Sequence, residues 1–147
     1  MFDKYFDELQ VGDRWQSRGR TITETDLVMF AAFSGDWYPL HTDKEWAAQT
    51  IFKERIAHGM LVLSVATGLL NLVPGPVVAF YGLDRVRFVR PTFIGDTVYL
   101  ELELVDKSDR GDLLGLATFH LEVKDKKQET KIIATLKFLM NRKPSKN

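Results

Sequence analysis

From Met60 to Val73 the chain is almost free of polar side chains. Met60, Leu61, Val62, Leu63, Val65, Ala66, Leu69, Leu70, Leu72 and Val73 cover most directions of a helix. A helix from about Gly59 to Val73 with no polar face must be buried on most of its sides. Lipid is not the cover, because these 14 residues span only about 21 Å as a helix, short of the ~30 Å hydrocarbon core. The rest of the chain has to surround the helix. Pro74-Gly75-Pro76 is expected to end it.

The second half of the sequence offers that cover. Val98, Leu100, Leu102 and Leu104 alternate with Thr97, Tyr99, Glu101 and Glu103, a two-residue period that predicts a half-buried strand. Gly115, Ala117, Phe119, Leu121 and Val123 form a second stripe, and Ile132, Ala134, Leu136, Phe138 and Met140 a third. Val78 to Arg90 is a further strand candidate. Short polar turns at 106–111 and 124–129 imply an antiparallel sheet. The expectation is one α+β domain over residues 1–147, a curved antiparallel sheet wrapped around a central buried helix, with a polar tail from about Arg142. Such a sheet leaves an edge or face uncovered, so a homodimer or higher homo-oligomer is expected.

The first half reads as short helices. Thr23 and Asp26 resemble a capping box, with Leu27, Phe30, Ala31 and Ser34 on one face and Gly35 as a left-handed stop. Thr42 and Glu45 form a second box that Trp46-Ala47-Ala48 would continue. Between them, Asp36 to His41 is expected to be a loop in which Pro39 keeps Tyr38 out of helical geometry.

Charge and composition exclude several functions. The 20 basic and 20 acidic side chains balance, which argues against a nucleic-acid partner. The absence of cysteine excludes disulfides and thiol chemistry. The first residues, Met1 to Asp7, lack the basic start and apolar run of a secretory signal, so a cytoplasmic protein with no membrane partner is expected. Phosphate-loop and dinucleotide fingerprints are missing, and His41, His58 and His120 lack a metal-ligand spacing.

Three features carry candidate chemistry. Asp36 and His41 form a carboxylate–imidazole pair in a constrained loop, suited to holding one water and moving its protons. The same pair is also compatible with Asp36 capping the next helix and His41 as a satisfied loop residue. His58-Gly59-Met60 opens the apolar helix, where free N–H groups carry partial positive charge and a glycine lets a carbonyl approach. Close helix packing is the competing role for Gly59. Ser64, inside that helix, either bonds the carbonyl one turn back or touches a substrate. Arg85, Arg87 and Arg90 are either a solvated strand face or contacts for the phosphates of a large ligand.

These segments together resemble the MaoC-like dehydratases and R-specific enoyl-CoA hydratases. Phe33-Ser34-Gly35-Asp36-Trp37-Tyr38-Pro39-Leu40-His41 is similar to their hydratase motif, and His58-Gly59-Met60-Leu61 to the start of their central helix. Phe88 to Thr97 is similar to their strand–turn–strand signature. The resemblance covers about residues 20–140 and implies the hot-dog fold, with dimers that place an acyl-CoA tunnel near the subunit interface. It implies that Asp36 and His41 are the catalytic dyad, that the Gly59 N–H polarises the thioester carbonyl, and that Ser64 matches a serine near the active site; Tyr38, His58 and Ser64 are the candidate substrate-binding residues. The implied reaction is reversible hydration of a trans-2-enoyl-CoA to an (R)-3-hydroxyacyl-CoA, without metal or redox cofactor. An acyl-CoA thioesterase and a non-catalytic thioester-binding protein are the competing readings. Tyr38 stands where the family motif usually has asparagine. It either narrows the pocket towards short, branched or carboxylated acyl groups or points away from it.

Overall fold

The computed structural model of the chain describes residues 1–144. Its main sheet strands are β3 (Val77–Phe88), β4 (Thr97–Asp109), β5 (Leu114–Asp125) and β6 (Thr130–Asn141). Two short strands, β1 (Arg14–Gln16) and β2 (Arg20–Thr21), pair with β4. Every pairing is antiparallel and the order is β1-β4-β5-β6-β3. The sequence reading lacked β1 and β2, which are too short and polar to show a period and form only because the β4 edge is there to pair with.

The three apolar stripes all face inward. Val98, Leu100 and Leu104 on β4, Phe119, Leu121 and Val123 on β5, and Leu136, Phe138 and Met140 on β6 are fully buried. They share one cluster with Leu61, Val62, Leu63 and Ala66 of α4 (Gly59–Gly68), so the sheet's inner face holds the apolar helix. Phe2 seals the N-terminal side of this core, with ring centroids 5.4 Å from Phe119 and 4.9 Å from Phe138.

The helix differs from expectation in two ways. It ends at Gly68, and Leu69 and Leu70 follow as a tightened turn in which the Leu70 N–H bonds the Thr67 carbonyl. Asn71, at φ 53°, takes the left-handed position, so the break comes before Pro74. One face is also open: Met60 is 56% exposed, and Ser64 and Gly68, one and two turns on, are exposed too. A single sheet cannot enclose a cylinder, and this is the side it leaves.

Helix α1 (Glu24–Ser34) starts and stops as predicted, with Thr23 and Asp26 bonding reciprocally and Gly35 at φ 79°. Residues 39–42 are not loop. Pro39 sits at the start of a single helical turn, α2 (Pro39–Thr42), with Tyr38 extended before it at ψ 133°. Helix α3 (Lys44–Ala48) is capped by Asp43, whose Oδ1 accepts the Glu45 and Trp46 N–H groups, and not by Thr42. The Thr42 hydroxyl is spent on the Trp37 and Tyr38 carbonyls. The first residues of the expected polar tail are tied to the body of the fold. Arg142 pairs with Asp7 and Asp109, and Lys143 pairs with Glu8. Positions 145–147 of that tail lie outside the described residues. Among the described residues no helix is long and apolar enough to cross a membrane.

Asp26 ties the start of α1 to the strand before it. Arg20 donates to both its carboxylate oxygens at 2.7 Å. That bond, with the Thr23 bonds and despite burial, lowers the Asp26 pKa from 3.8 to about 2. The stabilisation is therefore complete above about pH 4 and is lost as the pH falls through about 2. Asp26→Asn is expected to cost on the order of 1–2 kcal/mol at pH 7, with the deficit shrinking between pH 4 and 2, as read by urea denaturation across pH.

Candidate active site

Helix α1 delivers Asp36. Gly35 turns the chain, the Ser34 hydroxyl donates to the Phe30 carbonyl at 2.6 Å, and the Asp36 N–H donates back to Ser34 Oγ at 3.2 Å. Asp36 Oδ1 accepts the Tyr38 N–H at 3.2 Å, a local turn that Pro39 then continues into α2. The single turn of α2 aims His41 at the segment before α4. That segment is pinned by the Ala57 N–H to the Thr92 carbonyl at 2.7 Å and by an antiparallel bridge between Ile56 and Phe93.

The hydrogen bonds define both imidazoles. His41 Nδ1 lies 2.7 Å from the Ile56 carbonyl oxygen. A carbonyl only accepts, so Nδ1 carries a proton, and in the neutral ring Nε2 is the nitrogen with the lone pair. His58 Nε2 lies 3.0 Å from the Asp36 carbonyl oxygen, which makes it the protonated nitrogen of that ring. The two rings stack, with centroids 3.9 Å apart and planes 28° apart. Burial pushes the His58 pKa below 6.5, opposed by its bond to Asp36 and assisted by the neighbouring His41. His58 is therefore neutral at neutral pH.

Asp36, His41 and His58 place their ligating atoms within 4.8 Å of one another, a cluster that sequence spacing did not reveal. It is a poor chelate. Imidazole lone pairs lie in the ring plane, and two nearly parallel rings cannot both aim at one ion about 2.0–2.1 Å away.

The trio opens on a cavity of about 430 Å³ whose other walls are mostly apolar, including Phe52, Ile56, Val62, Phe88 and Ile132. Gly59, the first residue of α4, also lines it. An N–H in the first turn of a helix has no intrahelical acceptor, so this donor is available to a ligand. A Cβ at this position would sit 2.7 Å from the Phe88 ring, so any side chain here requires that ring to move.

Tyr38 and Ser64 are not on the cavity wall. The Tyr38 ring packs against Trp46, 5.5 Å between centroids, and stands 6.1 Å from His41. The Ser64 hydroxyl donates to the Met60 carbonyl one turn back at 2.7 Å on the open face of the helix. Sequence reasoning missed Phe88, Thr92 and Ile132 as wall residues. They arrive from β3, the loop after it and β6, and no local pattern marks them. Of the three arginines, only Arg90 reaches the cavity.

The model of the MaoC-like domain family matches residues 10–125. The chain is 45% identical over 102 residues to Protein MaoC of Klebsiella aerogenes, covering 69% of this chain and 30% of that protein. It is 40% identical over 95 residues to an (R)-specific enoyl-CoA hydratase of Rhodospirillum rubrum, covering 64% of this chain and 65% of that one. Among solved structures, an Archaeoglobus protein described as a monoamine oxidase regulatory protein superposes with a TM-score of 0.90 at 42% identity, over 96% of both chains. A Mycobacterium tuberculosis protein described as having a double hotdog fold superposes at 0.85, with 24% identity, over 98% of this chain and 46% of that one. The chain belongs to the MaoC-like domain family, and its curved sheet around α4 is the hot-dog fold. The match spans less than a third of the Klebsiella protein and about two thirds of the Rhodospirillum one.

The Gly59–Phe88 contact is directly testable. Gly59→Ala is expected to cost about 1–3 kcal/mol through overpacking. In a Phe88→Ala background the same change should cost much less, so a urea-denaturation double-mutant cycle should show strong coupling.

Proposed function

We propose that this chain is an enoyl-CoA hydratase and 3-hydroxyacyl-CoA dehydratase, adding water across a trans-2-enoyl thioester to give the (R)-3-hydroxyacyl product. The observation that carries the reading is the His41 ring, bound through Nδ1 to the Ile56 carbonyl and lying beside Asp36 at one end of an apolar cavity that Gly59 also lines. The named activity of the Rhodospirillum relative supports it. In this mechanism Asp36 and His41 hold one water. Its oxygen adds to Cβ as the dyad takes one proton from it. The dyad returns one proton to Cα on the same face and so ends as it began. Negative charge developing on the thioester oxygen meets the Gly59 N–H, a type of donor worth roughly 2.7–4 kcal/mol where one has been removed. Metal and redox cofactors have no part in these steps, and coenzyme A enters with the substrate.

Loss of enoyl-thioester absorbance with crotonyl-CoA and a panel of branched and dicarboxylic enoyl-CoAs tests the proposal. Asp36→Asn and His41→Ala should each lower kcat by about 10²–10⁴-fold. Release of free thiol in place of hydration would assign a thioesterase. Tight binding without turnover, unaffected by Asp36→Asn, would assign a carrier of acyl thioesters.

A homodimer belongs to the same proposal. Among the described strands β3 pairs only with β6, so its outer edge is unsatisfied. That strand exposes Val78, Tyr81 and Phe88, and α4 leaves the Met60–Ser64–Gly68 face open. A second copy joined there would lie beside the cavity mouth, where Phe88, Val89 and Arg90 are exposed. Sedimentation equilibrium should give a dimer for the wild type and a shift towards monomer for Tyr81→Lys.

A further inference from the structure

We propose that His58 is a positioning residue of the active site, clamping the backbone of Asp36 with its Nε2–H while its ring face fixes the ring of His41. The inference rests on reading Asp36 and His41 as the hydration dyad. Asp36 lies in an exposed segment, and its bonds to Ser34 and Tyr38 are strictly local. Of its hydrogen bonds, the one from His58 alone reaches the core of the fold, 22 residues along the chain. The same imidazole stacks on His41 at 3.9 Å. Its own ring is held 4.9 Å from Phe30 and is 2% exposed, so it has little freedom to move. One buried side chain thus touches both members of the dyad.

The choice of histidine has a visible cost. His58 Nδ1 is buried without a hydrogen-bond partner among the described residues. An unpaired buried acceptor is destabilising, and its retention asks for a reason. Phenylalanine would avoid the cost and keep the stack, but it has no proton for the Asp36 carbonyl. Glutamine could supply the proton, but it has no ring face for His41. Histidine in the Nε2–H form meets both demands. The charged or titratable groups that face it are Asp36 and His41, and Phe30 on its other side is neutral. Two stacked imidazolium ions would repel each other, so a His58 that stays neutral leaves His41 free to carry the transferred proton.

The chain has three histidines, so ring tautomers can be assigned by ¹⁵N NMR. In the wild-type protein at pH 7, His58 should show the Nε2–H form and His41 the Nδ1–H form, with His58→Gln identifying the signal. In steady-state assays, His58→Phe should lower kcat by about 100-fold, the scale of a small misplacement of reacting groups, while KM stays within about threefold. His58→Gln, which keeps the donor, should recover part of that loss. A purely packing role would lower stability and leave kcat per folded molecule unchanged. Wild-type kcat in His58→Phe, or a His58 that is protonated or Nδ1–H at pH 7, overturns the proposal. A wild-type protein that hydrates nothing overturns the hydratase reading instead, and the tautomers then decide the clamp alone.

Discussion

Everything in this fold depends on covering α4. Its buried face meets the inward stripes of β4, β5 and β6 in one continuous apolar cluster. The helix cannot be soluble without the sheet, and the sheet's inner face cannot be soluble without the helix. At about 25 cal/mol per Å² of apolar surface, this mutual burial is the dominant favourable term in such a domain. The candidate cavity forms at the N-terminal end of this helix. There the first turn of α4 meets α2 and the last residues of β3.

That location has electrostatic consequences. A helix start offers free N–H groups and partial positive charge, and here it opens on an apolar wall where such dipoles are little screened. The polar groups opposite come from a separate stretch of chain, held in place by backbone carbonyls. The Ile56 carbonyl fixes the tautomer of His41, and the Asp36 carbonyl fixes that of His58. Which nitrogen of each ring bears the hydrogen-bonded proton is therefore set by main-chain geometry.

Much of the fold was legible in the sequence because its signals are periodic. The stripes on β4, β5 and β6 appear at the expected positions, and the box of Thr23 and Asp26 with the stop at Gly35 needs only local bonds. Misreadings fall where local signals compete. Thr42 and Asp43 are both good caps, and Asp43 takes the role because the Thr42 hydroxyl is drawn back to Trp37 and Tyr38. The helix ends at Gly68 and Asn71 turns left-handed soon after, so the break precedes Pro74, whose strongest restriction falls on Val73 directly before it.

For the site, the sequence by itself determined the donor types: a carboxylate and an imidazole in a bent segment, and a glycine opening an apolar helix. Those follow from residue chemistry and short spacing. Only the tertiary structure decided which groups meet. His58 joins Asp36 and His41 through contacts 22 residues apart and a ring stack that no motif encodes. Ser64 turns to its own helix and Tyr38 to Trp46. The cavity wall comes from β3, β6 and the loop between β3 and β4, segments brought together by sheet register and by the need to cover one helix. Sequence patterns report each element's faces, and register and packing report which faces touch.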